Sequence, residues 1–289
     1  MNKYAVVIAT DKGYLYYANA LMNSIQAYGA NVDFYVGIWN WPPIDFAKVP
    51  APPSNVHLFD ILQVCQKPDH PIKVSGTWWL QFGRYCLAEL ALRTHEAVVV
   101  FDADQFVCGD LTPTFDLCNT TRELVMVRNS LGYAPSNEQH IDNFNGACTP
   151  PFHCCGSFYN QSHRNLLLKV FDWGTREDYN DMSGLWRTIR REGYDALKVI
   201  QLNNDLWIMN TFYGREVVRT FNNGLPELHF SDTGERIMAV HGRWNPVSGY
   251  RADEVNNCRL LNQMGYNNTV IFAEMYEHFT TNATIKVVI

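Results

Sequence analysis

The sequence predicts an α/β fold built on a central, mostly parallel sheet. Three observations carry that expectation. Runs rich in Val and Ile recur at residues 4–10, 32–38 and 97–101; stretches with apolar residues at helical spacing lie between them; and Gly13, Gly29 and the prolines of 41–54 mark the places where one pattern gives way to the next. Strand and helix alternating in this way layer helices over a parallel sheet, whose strands are apolar throughout because both of their faces are covered.

Taken in order, residues 4–10 form the first strand and end in Asp11-Lys12-Gly13, after which 15–28 carries Ala18, Leu21, Met22 and Ile25 on one helical face. A second strand at 32–38 follows Gly29, and a third at 56–59 follows the Pro-rich connection. Residues 78–93 read as the next helix and 97–101 as a strand buried on both sides. The first hundred residues thus have the βαβ pattern of a Rossmann-like, nucleotide-binding half. Beyond Leu111 the pattern is mixed, with strands expected at 124–127, 155–159 and 237–240 and helices at 166–173, 185–191, 205–213 and 254–264; residues 129–151, rich in Gly, Asn and Pro, read as an irregular loop. No composition break marks a linker and no repeat is visible. The expectation is one domain of two halves, 1–110 and 111–289.

The chain of 289 residues carries 23 basic and 29 acidic side chains, a net charge of −6, with no clustered basic stretch. That balance argues against a nucleic-acid partner. Hydrophobic residues make up 47% and charged residues 18%, enough apolar material for a substantial core. No run of about 18 apolar residues is present, and the opening MNKYAVVIATDKG lacks the pattern of an export signal, so a cytoplasmic protein without a transmembrane segment is expected. The eight cysteines show no Cys-x-x-Cys and no regular spacing; reduced core thiols are the expectation, rather than a zinc site or disulfides.

The segment Val98-Val-Val-Phe-Asp102-Ala103-Asp104 carries the chemistry. An Asp-x-Asp pair arises by chance in a chain this rich in aspartate, so its setting decides. Here it closes a buried strand, where parallel α/β sheets place their ligands, and residues two apart on an extended segment point the same way. Two carboxylates aimed together repel unless a cation lies between them. Manganese or magnesium, completed by phosphate oxygens of a substrate, is the ion such a pair suits.

Strand, Asp-x-Asp and a preceding Arg-bearing helix resemble the GT-A fold glycosyltransferases, and within them the retaining family-8 group that includes glycogenin and bacterial galactosyltransferases. Thr10 and Tyr14, with Asp11 between, match the spacing at the end of that family's first strand, where the Tyr stacks on uracil; Ala9 and Ala103 fall in the same nucleotide-contacting segments. Arg84 stands where the family has a basic residue near the diphosphate. His241-Gly242-Arg243 resembles, in shortened form, the motif that supplies the third metal ligand, and Asp205 and Asn210 keep the spacing of the segment near the donor sugar. The resemblance implies metal ligation by Asp102, Asp104 and His241, a catalytic role for Asp205, a UDP-sugar donor, a glycan or glycoprotein acceptor, and retention at the anomeric carbon. Departures are plain: Leu206 and Trp207 replace polar residues, Cys154-Cys155-Gly156 replaces an Asn-Ser/Ala-Gly, and the lysine of the late motif has no match beyond Arg243. Because the family's eukaryotic Golgi members carry a membrane anchor, a bacterial or virus-encoded source is the expectation, with a host-cytoplasmic location in the viral case.

Other classes account for less. A haloacid-dehalogenase-like phosphatase would use Asp102 as nucleophile, but its motif opens the domain and is followed by Thr or Val where Phe106 stands here. A sugar-nucleotide pyrophosphorylase needs a Gly-rich first loop that residues 9–13 lack. A non-catalytic carbohydrate-binding protein would explain the 13% of aromatic residues and leave the strand-end carboxylates unexplained.

Overall fold

The computed structural model describes residues 2–39, 44–65, 78–127, 152–176, 181–193, 199–203, 207, 209–210, 216–241 and 268–289. Strand β1 (Tyr4–Asp11) leads into helix α1 (Leu15–Ala27), then β2 (Val32–Trp39), β3 (Val56–Asp60), the short α2 (Ile61–Val64), α3 (Trp78–Leu92), β4 (Ala97–Asp102) and β5 (Gln105–Val107). The second part runs α4 (Thr112–Thr120), β6 (Leu124–Val127), β7 (Ser157–Asn160), α5 (Arg164–Arg176), α6 (Asp181–Arg191), β8 (Val199–Leu202), β9 (Met209–Asn210), the hairpin β10 (Val217–Asn222) and β11 (Leu225–Phe230), β12 (Ala239–His241) and α7 (Asn268–Thr281).

The main sheet has the order β3-β2-β1-β4-β7-β6-β8. Its first four strands are parallel, as the Val- and Ile-rich runs predict, and β7 is antiparallel to both β4 and β6. Alternate residues of each central strand enter different cores. Val6, Ile8, Val99 and Phe101 join the α1 side, with Leu21 and Ile25, whereas Ala5, Val7, Val98 and Val100 meet Phe82, Leu87, Leu167 and Ile189 of α3, α5 and α6. Fully burying each such Val, Ile or Phe contributes about 1.5–3 kcal/mol, so the middle of the sheet is strongly fixed.

Helix α5 approaches α3 at Gly174, where an added Cβ would lie 2.0 Å from Cε1 of Phe82. A third core joins Phe106 and Val240 to Tyr17, Leu228, Phe230, Met275 and Phe279, docking the hairpin and α7 beside α1. The C-terminal residues are clamped by two amides of α1. Asn23 accepts from the Ile285 N–H at 2.8 Å and donates to its carbonyl at 2.8 Å, and Asn19 makes the matching pair with Val287 at 2.9 and 3.0 Å.

The expected strands and helices of the first hundred residues are present within a residue or so of their bounds. One expectation is reversed: within 205–213, Met209 and Asn210 are extended, not helical, because they pair in parallel with Val240 and His241 of β12. The expected helix at 254–264 and the loop at 129–151 lie outside the described residues. Helix α4, the hairpin and α7 were not anticipated.

Candidate functional site

The end of β4 is where the chemistry-bearing residues gather. After Asp102 the chain turns through Ala103 and Asp104 into β5, and the turn is closed by the Asp102 N–H donating to Oε1 of Gln105 at 2.8 Å. Ala103 points into the core, while Asp102 and Asp104 keep side chains 28% and 17% exposed. Strand β12 pairs antiparallel with β5 and sets His241 opposite Gln105. The imidazole thereby reaches over both carboxylates, with Nε2 3.3 Å from Oδ2 of Asp102 and 3.5 Å from Oδ1 of Asp104.

Arg84 approaches from the other side. Its guanidinium, on α3 and only 3% exposed, donates through Nη1 to Oδ1 of Asp102. Burial by itself would raise the Asp102 pKa, but the Arg84 charge and the His241 hydrogen bond overcome it and hold the carboxyl well below the usual range. For His241, burial disfavours the charged form, yet the Asp104 charge and the bonds to both carboxylates raise its pKa well above the ordinary histidine value. Positive charge is thus favoured at the position of the ring.

Donor atoms held about 2.1 Å from a small dication stand about 3 Å apart around it, close to the spacing of the His241 nitrogen from each carboxylate oxygen. Among the described residues, the group whose donor atoms all lie within 4.8 Å of one another is Asp102, Cys155 and His241; Asp104 meets His241 without joining it. Arg84 occupies one oxygen of Asp102 and leaves the other facing His241. Two carboxylates suit manganese or magnesium, and an imidazole beside them favours manganese over magnesium.

The end of β1 lies alongside. Ala9 is the register partner of Asp102 on one side and of Gly37 on the other, so Ala9, Thr10 and Asp11 stand one strand away from the carboxylates. Thr10 is buried and its hydroxyl donates to the Asp11 carbonyl at 3.1 Å. Asp11 shapes the following turn, its carboxylate accepting from the Tyr14 N–H at 2.9 Å. Tyr14 is half-buried and its ring lies 5.6 Å from that of Tyr17. Asn210 is brought to this end of the molecule by its register with His241. Asp205, Gly242 and Arg243 lie outside the described residues. Trp207, at one of the departures from the family pattern, is buried edge-on against Phe158.

Two residues of this site were not singled out from sequence. Gln105 directly follows the Asp-x-Asp and closes its turn. Cys155, read as a core thiol, brings its sulfur into one cluster with Asp102 and His241, the three donor atoms lying within 4.8 Å of one another. Its hydrogen bond with Cys154, its burial and the Asp102 charge all push the thiol pKa up.

With this geometry the chain is similar to the galactosyltransferase LgtC solved with donor and acceptor sugar analogues, at a TM-score of 0.59 and 16% identity over 97% of this chain and 96% of that one. The fold is GT-A. An active-site mutant of LgtC aligns over the same shares at a TM-score of 0.56 and 15% identity. The bifunctional glycosyltransferase WbbM, in its apo form, aligns at 0.56 and 15% over 98% of this chain and 50% of that one. No family profile matches the sequence, and no curated protein matches it. The α/β architecture with a mostly parallel central sheet is the one expected from sequence, and among the described residues no helix is long and apolar enough to cross a membrane.

Proposed function

We propose that this GT-A chain is a metal-dependent glycosyltransferase that moves a hexose from a UDP-sugar to a glycan or glycoprotein acceptor with retention. One observation carries the reading: Asp102, Asp104 and His241 converge at the end of β4, next to the end of β1, in a chain with the fold of LgtC. Asp102, Asp104 and His241 would hold manganese or magnesium. When bound, such a dication offsets the negative charge that develops on the diphosphate as the sugar–phosphate bond breaks, a contribution of several kcal/mol.

The chain's own groups do the rest. Arg84 fixes the Asp102 carboxylate and supplies a buried positive charge behind it. Ala9, Thr10 and Asp11 line the strand end beside the carboxylates, and Tyr14 offers its ring to the uracil. Ala103, Gly242 and Arg243 would contact the diphosphate, and Asp205 would act as nucleophile or as stabiliser of the cationic sugar. Residues 1–110 act as the donor half and 111–289 as the acceptor half, in a cytoplasmic enzyme.

UDP-glucose is the first donor to try. Incubation with UDP-glucose and manganese is expected to release UDP, and Asp104→Ala to abolish the release. Should no nucleotide sugar be turned over, or should Asp104→Ala release UDP undiminished, the reading fails. Full turnover by Asp205→Ala would remove that residue alone from the scheme.

A further inference from the structure

We infer that Cys155 gives the cation centre a second, thiophilic donor set, so that zinc and cadmium bind through Asp102, Cys155 and His241 in competition with manganese or magnesium bound through Asp102, Asp104 and His241. The inference rests on the cation-binding reading of this centre and deepens it. Its basis is the placement of the sulfur. Asp102, Cys155 and His241 are the one group of three such donors within mutual reach among the described residues. The Cys155 sulfur lies within 4.8 Å of both the Asp102 oxygen and the His241 nitrogen, and the side chain is buried. Its backbone cannot easily swing aside, because the next residue, Gly156, donates its N–H to the Val100 carbonyl at 2.7 Å and Ser157 ties its hydroxyl to the His153 carbonyl at 2.8 Å.

Donor chemistry divides the two sets. Oxygen donors suit magnesium and manganese, whereas thiolate selects soft and borderline ions. Asp102 and His241 belong to both sets, so the two kinds of ion exclude one another. Binding through Cys155 breaks its S–H bond: the proton leaves to solvent, and the sulfur lone pair forms the bond to the ion. No electron transfer is involved.

The test is a cadmium titration of the intact protein, followed by the ultraviolet thiolate-to-cadmium charge-transfer band. Wild type is expected to show the band, to lose it as manganese is added in excess, and to have Cys155 shielded by cadmium from alkylation, read at that residue by mass spectrometry. Replacing Cys155 by Ser or by Ala is expected to remove the band and weaken cadmium binding by about 10-fold or more while leaving manganese binding little changed; Asp104→Asn is expected to do the reverse. Cys65→Ser should keep the band, which separates the centre from the other buried thiols.

A band that survives in both Cys155 variants overturns the inference, as does unshielded alkylation of Cys155 in the wild-type protein, a readout that needs no variant to fold. Manganese binding without any cadmium band defeats the thiophilic set and leaves the proposed function standing. If neither ion binds, both fail.

Discussion

Arg84 and His241 share one carboxylate: Nη1 of Arg84 donates to Oδ1 of Asp102, while Nε2 of His241 stands 3.3 Å from Oδ2. The strand-end aspartate is thus held from beneath by a fixed cation and presented from above to a group that can give way to an ion.

Removing the lower partner leaves a largely sequestered carboxylate without its compensating charge. Breaking a buried pair in this way costs about 3–5 kcal/mol, and the partial exposure of Asp102 places Arg84→Met near the lower figure. Urea unfolding measures the loss. In the double variant Arg84→Met with Asp102→Asn the two losses are expected to sum to less than their separate values, since both remove one interaction. Strictly additive losses would show that the pair is not coupled.

Gly174 is the contact on which the position of α3 depends. An alanine there puts its methyl 2.0 Å from Cε1 of Phe82, a fully buried ring two residues before Arg84. In an unconstrained helix, Gly→Ala stabilises by about 1 kcal/mol. Here overpacking of about 1–3 kcal/mol reverses the sign, and Phe82→Leu in the same chain is expected to recover part of it. A Gly174→Ala protein that melts higher than wild type would remove this contact from the account.

Acid sensitivity should begin at His163. Its Nδ1 accepts from the Asn160 N–H at 3.1 Å, and its Nε2 donates to the Arg122 carbonyl at 3.0 Å. Burial lowers its pKa below 6.5, with the Arg122 carbonyl opposing in part, and protonating Nδ1 would end the bond to Asn160. A depressed pKa means stability that is complete above about 6.5 and lost as pH falls through the folded value. Asp33 and Glu89 have pKa values that burial would raise but that hydrogen-bonded partners lower: His95 and Asn2 for Asp33, Arg93 and Arg164 for Glu89. They add a further loss below about pH 4. The urea midpoint of wild type is expected to fall from pH 6.5 downward. His163→Gln, less stable at neutrality, should decline less steeply over this range, with the remainder coming from His278, whose pKa burial and the Arg219 charge also lower; a parallel decline in both proteins would sink the assignment.

Manganese is expected to stabilise the folded chain. At a concentration of 100 times Kd the gain is about 2.7 kcal/mol, visible as a raised Tm. His241→Ala and Asp104→Asn should each abolish most of the shift. For the wild type the ion displaces the His241 proton, so the midpoint concentration of manganese should fall as pH rises. A pH-independent midpoint would mean that the ion binds elsewhere.

The parallel strands were legible because a strand covered on both faces has no polar alternation to confuse it with anything else, as in Ala97–Phe101. The turn of the hairpin is made by Asn223-Gly224, both at positive φ (51° and 81°), a pair that favours a tight hairpin connection. Met209 and Asn210 were misread because their conformation is set by pairing with β12, a partner distant in sequence. At the site, the carboxylate pair was marked by its place at the end of a buried strand, and His241 by the family motif that His241-Gly242-Arg243 resembles. That Arg84 lies under Asp102 could not be read from sequence, since helical spacing does not say which face of α3 meets a strand end. Nor does any spacing link Cys155 to Asp102; the antiparallel entry of β7 beside β4 makes them neighbours.

The pairing of β5 with β12 also has a consequence for how the protein is made. Among the described residues β5 has β12 alone as neighbour in its small sheet, and β12 emerges from the ribosome long after β4 and β5. A nascent chain stopped short of residue 239 therefore presents Asp102 and Asp104 with no imidazole above them and with β5 an open edge, the kind of surface on which partly made chains stick together. On the proposed metal-binding reading, tight ion binding would wait for His241, and its appearance during synthesis or refolding would time the docking of β12.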